Sequence, residues 1–260
     1  FYGFFKLRQS HCRNKAYYSL IDQNLALLRA SFFHSAPAIR KAFSSNQPDS
    51  AYILPFSYDI NEPNQLTQHH LAKGEVKWTY SDHGNVTLRA GRQLNKRKEF
   101  DVRRSSEKPI INLDLITNDV QLEWNHPDRF ELDGMIGIQY FYQNNDNNPG
   151  TGTTPFIPNY NTGRYSAFIV ESKRIGEHII EGGARFDFET SNIRGREVSQ
   201  DVFRDEYSFS NITSSFGYIK NYKKNNSFRT SLGTAWRAPN MAELFSFGQH
   251  GFKNSYGLLR

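Results

Sequence analysis

Ile180-Glu181-Gly182-Gly183-Ala184-Arg185-Phe186-Asp187-Phe188-Glu189 decides the fold. Ile180, Gly182, Ala184, Phe186 and Phe188 fall on one side of an extended chain, and Glu181, Arg185, Asp187 and Glu189 on the other. Side chains of a strand point alternately to its two faces, so this decapeptide is a strand with one apolar and one charged face. Residues 75–80 repeat the pattern: Val76, Trp78 and Tyr80 oppose Glu75, Lys77 and Thr79. So do residues 119–124, with Val120, Leu122 and Trp124 against Asp119, Gln121 and Glu123, and residues 228–237, with Phe228, Leu232 and Trp236 against Arg229 and Arg237.

Extending this rule predicts about ten strands, near residues 2–9, 15–33, 70–80, 85–95, 110–125, 131–144, 163–173, 178–191, 206–220 and 226–237. Most exceed the ~5–6 residues usual in globular sheets and match the ~9–11 that a tilted strand needs to cross a bilayer. Short polar turns at 10–14, 81–84, 126–130, 174–177 and 221–225 alternate with long segments at 34–69, 96–109, 145–162, 192–205 and from 238 onward. Short turns at one end and long loops at the other describe an up-and-down transmembrane barrel. A Greek-key sandwich has no reason to keep that alternation. Aromatic residues gather toward the strand ends (Tyr17, Tyr18, Phe32, Phe33, Trp78, Tyr80, Trp124, Tyr140, Tyr142, Phe186, Phe188, Tyr218, Phe228, Trp236), where a barrel carries its interfacial girdles.

Composition agrees. Aromatic residues make up 15% and charged residues 22% of 260, unlike a disordered chain. No apolar run reaches the length of a membrane-spanning helix. The single cysteine, Cys12, closes no disulfide within the chain. The net charge of +6 is spread along the sequence, and no aromatic platform interleaves with it, so no nucleic-acid partner is expected. The opening at Phe1 and the ending at Tyr256-Gly257-Leu258-Leu259-Arg260 read as a fragment cut at both ends.

Local chemistry is sparse. His69-His70 cannot share a metal, because neighbours on a strand face apart. Lys96-Arg97-Lys98-Glu99-Phe100-Asp101-Val102-Arg103-Arg104 reads as a solvated basic loop, with an affinity for anionic chelates or lipopolysaccharide phosphate as its functional alternative. Asn144-Asn145-Asp146-Asn147-Asn148-Pro149-Gly150-Thr151-Gly152 is rich in turn formers and lacks the spacing of a calcium loop. Residues 38–43 have the makings of one or two helical turns. No nucleophile or metal-protease motif is present, so neither an enzyme nor a cofactor or metal site is expected.

Trp236-Arg237-Ala238-Pro239-Asn240-Met241-Ala242-Glu243-Leu244-Phe245, followed by Ser246-Phe247-Gly248-Gln249-His250-Gly251, resembles the "FRAPN-x-x-EL" signature and its continuation in TonB-dependent outer-membrane receptors. One histidine of that continuation is missing, and Phe247 replaces an asparagine. Three further blocks resemble the same family in order. They are Pro55-Phe56-Ser57-Tyr58-Asp59-Ile60 with Gln68-His69-His70-Leu71-Ala72-Lys73; residues 91–101 with Asn125-His126-Pro127; and Phe156-Ile157-Pro158-Asn159-Tyr160 with residues 181–187.

The resemblance implies an all-β fold: an antiparallel up-and-down meander, about ten strands of a roughly 22-stranded transmembrane β-barrel. Residues 1–260 then form one partial barrel domain with no separate plug. The implied setting is the bacterial outer membrane, with contact to outer-membrane lipid. The implied function is active uptake of a scarce nutrient, a ferric siderophore or other metal chelate above all. The implied partners are that ligand, the receptor's own plug domain, and the TonB energy-transducing complex acting through the N-terminal part. Arg237, Glu243, His250, Tyr160 and Arg164 are the candidate ligand or plug contacts. The segment after Trp236 is expected to leave the sheet on the loop side, with Asn240 capping one short helical turn and Arg237 pairing with Glu243. A structural or carbohydrate-binding β-protein and a passive porin stay open as alternatives.

Overall fold

The structure, a computed structural model, describes residues 1–8, 11–27, 36–47, 53, 55–61, 63–82, 84–101, 108–129, 131–196, 201–222, 226–250 and 253–259. Ten strands form one antiparallel sheet in which each pairs with its sequence neighbours. They are β1 (Tyr2–Arg8), β2 (Cys12–Ala26), β3 (Asn64–Thr79), β4 (Asn85–Phe100), β5 (Ile111–Arg129), β6 (Leu132–Asn147), β7 (Asn159–Ile175), β8 (His178–Arg196), β9 (Val202–Tyr222) and β10 (Asn226–Gly233). A nine-residue helix α1 (Ala36–Ser44) lies between β2 and β3, where the sequence allows helical turns. After β10 come a short helix α2 (Met241–Phe245) and a hairpin of β11 (Phe247–His250) and β12 (Lys253–Tyr256).

The connections segregate as expected. At one end they span 9–11, 80–84, 130–131, 176–177 and 223–225; at the other, 27–63, 101–110, 148–158, 197–201 and the chain beyond Gly233. Gly176 turns one short connection at φ +59°, a conformation that costs glycine little. Several features read from the sequence lie outside the described residues: Phe32 and Phe33 of the aromatic set, residues 223–225 of the turn at 221–225, and Val102, Arg103 and Arg104 of the basic stretch.

Strand bounds differ from the sequence reading at the loop end. β3 starts at Asn64 rather than near 70, and β4 continues through Lys96, Arg97 and Lys98 to Phe100, so the supposed basic loop is largely a ladder. β6 runs through the asparagine-rich stretch to Asn147, and β8 and β9 consume most of 192–205. Period-two reading needs contrast between faces. Strands of 16 to 21 residues outrun the bilayer, and there both faces are polar and the contrast vanishes. β10 is shorter than expected, ending at Gly233, so Trp236 belongs to no strand.

Burial is inverted relative to a water-soluble sheet. Val76, Trp78, Leu122, Ile138, Phe186 and Ile212 are exposed, whereas Thr87, Glu123, Ser166, Asp187, Glu189 and Ser191 are buried. The apolar face is therefore the outer wall and the polar face the inner one. Arg229, on the charged side of β10, stays exposed, because all of β10 is an open edge. Tyr17 pairs with Lys73 on the inner face and belongs to no girdle.

The outer face carries two aromatic rows. Near the short turns the Trp124 indole donates to the Tyr80 hydroxyl at 2.8 Å, the Trp78 and Tyr80 rings lie 5.7 Å apart, and His178 bonds Tyr218 at 2.7 Å. Toward the loops Tyr140 and Tyr165 pack at 5.0 Å, with Phe188 beside Tyr165 on the ladder. Along β8 ten residues separate His178 from Phe188, and that length of tilted strand spans roughly 25 Å of hydrocarbon.

Candidate functional site

The inner wall is held by ionic chains that run across the strands. Glu75 sits between Lys15 Nζ at 2.8 Å and Arg89 Nε at 3.1 Å; Arg89 Nη1 reaches on to Glu123 at 2.6 Å, and Gln121 donates to Glu123 at 2.7 Å. A second chain starts at Asp119, which accepts from Gln139 at 2.6 Å. Gln139 accepts from Arg185 at 2.9 Å, and Arg185 and Ser166 both donate to Asp187, at 3.0 and 2.6 Å. Lys15, Glu75, Arg89, Gln121, Gln139, Ser166 and Asp187 are successive ladder partners, and Asp119 and Glu123 on β5 and Arg185 on β8 stand two residues from them, so register and alternation place them all on one face. Phe168 lies flat against this wall over Gly137, where a Cβ would come 2.3 Å from the ring. The Arg185 guanidinium sits 5.6 Å from the same ring. A hollow of about 470 Å³ opens on the wall between Phe4, Lys15, Tyr17, Lys73, Arg89 and Asp119. Cation, carboxylate and aromatic groups facing water suit a polar or anionic ligand.

A returning segment packs against the loop end of this wall. The ladder closes where Thr234 N donates to Ser214 O at 2.9 Å, and Pro239, with no N–H, continues no strand. Asn240 caps α2: its side chain accepts from Glu243 N at 2.9 Å while Glu243 Oε2 accepts from Asn240 N at 2.9 Å, a reciprocal capping box. Met241, Leu244 and Phe245 are buried on Ile193, with Tyr160, Phe203, Tyr207 and Phe209 around them. Gly257 lies so close to α2 that a Cβ would come 2.3 Å from Leu244 O. Leu258 N and Leu259 N donate to Glu243 O and Leu244 O at 2.9 Å each.

Arg237 forks onto Glu243, Nη1 to Oε2 at 2.8 Å and Nη2 to Oε1 at 2.5 Å. That guanidinium first, and the Asn240 N–H second, hold the Glu243 carboxyl at about 2, below its ordinary 4.5. A depressed carboxyl contributes its stabilisation above the ordinary value and loses it as pH falls through the folded value. The corner is therefore expected to stay closed through mildly acidic pH. NMR titration of the Glu243 carboxyl carbon checks this: a midpoint near 2 fits the fork, and one near 4.5 shows it open.

The structure places the sequence-predicted residues as follows. Tyr160 lies on the inner face of β7 beneath α2, donating to Gln143 at 2.9 Å. Arg164, on the same face, stands 3.6 Å from Glu189 and over the Phe141 ring at 4.9 Å. Arg237 and Glu243 are brought together in the corner, still exposed. His250 sits on β11 opposite Lys253. The histidine pair divides as expected, His69 bonding Asn95 and His70 bonding Tyr18; among the described residues no metal-binding cluster forms. The Asp119–Gln139–Arg185–Asp187 chain was not foreseen, because alternation gives facing but not partners. The docking patch of Phe203, Tyr207 and Phe209 was also missed. Its signal was available: three apolar residues on a polar inner face, matching three on α2.

Several solved structures share the fold. The siderophore receptor PiuA from Acinetobacter baumannii is 12% identical, with a TM-score of 0.60 over 88% of this chain and 40% of that one. The ferric-catecholate import receptor Fiu from E. coli K12 is 11% identical, with a TM-score of 0.58 over 92% and 43%. The ferric yersiniabactin uptake receptor FyuA from Yersinia pestis is 11% identical, with a TM-score of 0.51 over 85% and 34%. The chain thus spans less than half the length of each of these receptors. No curated protein sequence matches it. The family described as TonB dependent receptor-like, beta-barrel, matches residues 14–257. With that match over an outward-apolar, inward-polar meander, the chain belongs to the TonB-dependent receptor family, as barrel wall of the outer membrane.

Proposed function

We propose that residues 1–260 form a partial barrel domain of a receptor that takes up a ferric siderophore or related metal chelate by active transport. The observation that carries this reading is the wet inner wall, where Arg164, Arg185 and Arg89 stand among carboxylates and aromatic rings. Iron chelates are commonly anionic and oxygen-rich, and such groups hold them by charge and stacking. Ten strands leave β1 and β10 paired on one side only; closure needs further strands of the same receptor. A plug domain fills the closed lumen in this reading, and the TonB complex draws on the proton gradient to move it. Tyr160, Arg164, Arg237, Glu243 and His250 are the contacts to ligand or plug.

The test is uptake of radiolabelled ferric chelates by iron-starved cells that carry the full-length receptor. Accumulation is expected, and a protonophore should abolish it. Uptake that survives the protonophore favours the passive-pore alternative, and no uptake of any ferric chelate overturns the reading. Arg237→Ala should lower uptake roughly tenfold at unchanged surface abundance, the scale of one lost charge-assisted contact. Unchanged uptake leaves Arg237 a structural corner only.

A further inference from the structure

Charged side chains on the inner wall are mostly paired. Glu75 stands among Arg13, Lys15 and Arg89 at 3.6, 2.8 and 3.1 Å, and Arg89 reaches on to Glu123. Lys73 and Lys77 flank Glu75 on the same face of β3. Neither makes a hydrogen bond or an ion pair among the described residues. Lys73 is exposed and borders the hollow of about 470 Å³, with Phe4, Lys15, Tyr17, Arg89 and Asp119 around it. Phe4, Tyr17, Lys73, Gly91 and Asp119 are successive ladder partners from β1 to β5. Gly91 leaves the place between Lys73 and Asp119 open: a Cβ there would meet only Ala72 O and Lys73 Cγ, both at 4.0 Å. Asp119 is engaged by Gln139 at 2.6 Å, and Glu75 is outnumbered by the cations around it, so Lys73 is the free charge of the hollow.

The outer face gives the depth of this hollow. On β3, His70 bonds Tyr18 at 2.8 Å toward the loop end, and Trp78 belongs to the aromatic row near the short turns. Lys73 lies between them, so the hollow sits at mid-depth. Arg164, by contrast, adjoins Tyr165 of the loop-side row, and Tyr160, Arg237, Glu243 and His250 belong to the loop end. Inner-wall contacts thus stand at two depths. We propose that the hollow is a second station for an anionic chelate, reached after the ligand leaves the loop-end contacts. Lys73 supplies the free cation, Phe4 and Tyr17 supply rings for flat donor groups, and Gly91 leaves the room. Lys77 continues the positive wall toward the short turns, and a run of one sign within low-dielectric walls concentrates the opposite charge. In the uptake reading above, on which this station rests, the plug must move before ligand reaches mid-depth, so the hollow acts in transport and not in capture.

The test uses the full-length receptor in iron-starved cells and three radiolabelled probes: ferric citrate and a ferric tris-catecholate, both anionic, and a neutral ferric trihydroxamate. Surface binding is read with a protonophore present and uptake without it. Wild type should accumulate an anionic probe. For that probe Lys73→Gln should lower the uptake rate roughly tenfold, the scale of one lost charge-assisted contact, at unchanged surface binding. Lys73→Arg should restore the rate. Arg92→Gln, on the opposite face of the sheet beside Ala72, should behave as wild type. Unchanged uptake in Lys73→Gln, loss of surface binding in step with uptake, or wild-type uptake confined to the neutral probe would overturn the proposal. So would a new sensitivity of Lys73→Gln cells to a large antibiotic such as vancomycin, since Lys73 would then seat the plug. If wild type takes up none of the probes, the uptake reading falls and the station with it; if wild type accumulates an anionic probe and Lys73→Gln does so equally, the station alone falls.

Discussion

Ile138→Arg is expected to lower the stability of the full-length receptor in a bilayer by about 2–4 kcal/mol, the cost of a cation at mid-depth on a barrel's lipid face. Ile138 is 56% exposed in the middle of β6. Its ladder neighbours are Leu122 and Ala167, both on the outer face. Tyr140 stands above it and Ile136 below, so an arginine there meets apolar side chains along the strand as well as across it. Asn161→Arg is the matched comparison. Asn161 faces the same way but pairs with Asn144 and Asn192 beyond the apolar run, and arginine there should cost no more than ~1 kcal/mol. Urea unfolding in phospholipid vesicles measures both. Equal losses at the two positions would mean that the outer face meets something other than hydrocarbon.

That depth dependence also explains which parts of the fold the sequence reveals. Where the chain lies in hydrocarbon, the two faces of a strand meet opposite solvents, and Ile180 to Glu189 shows the contrast residue by residue. Where the same strands rise past the bilayer, both faces meet water. Gln65 to His70 and Lys96 to Phe100 then carry no period, although their backbones pair without a break. Hydrogen bonding between strands is indifferent to side-chain polarity, so the ladder continues where the pattern stops. The site follows the same logic. Inner facing was legible for Arg185, Asp187 and Glu189. The link from Arg185 through Gln139 to Asp119 crosses β6 and β7, and it depends on register, which no single strand contains. The cap at Asn240 was legible because the helical turn follows directly after Pro239; that Glu243 completes a capping box with it is seen only in the structure. The docking of α2 on β8 and β9 was not, because Ile193 and Phe245 are far apart in sequence.

Phe245→Ala is expected to detach α2 and the hairpin behind it while leaving the sheet intact. Phe245 is 1% exposed and packs between Phe203 at 6.2 Å and Tyr207 at 5.6 Å. Truncating a buried phenylalanine costs about 3–5 kcal/mol, through lost transfer energy and the cavity left behind. The returning segment has little to set against that loss: Met241 and Leu244 are the other buried apolar groups on α2. The cap at Asn240 contributes only about 1 kcal/mol and acts within the segment, so it shapes α2 without fastening it to the wall. The sheet does not depend on the contact, since β8 and β9 pair from His178–Lys220 to Arg196–Val202. Hydrogen exchange separates the two outcomes. The amides of Gly257, Leu258 and Leu259, which donate to Ser246, Glu243 and Leu244, should lose protection along with the backbone N–H of Phe247, which holds the segment to Phe156 at 3.0 Å. The loss at Phe247 should reach roughly a hundredfold, as expected when local opening becomes ~3 kcal/mol easier. Amides of β8 and β9 should be unchanged. Retained protection at Phe247 in the variant would show that the segment is fastened by something other than this aromatic contact.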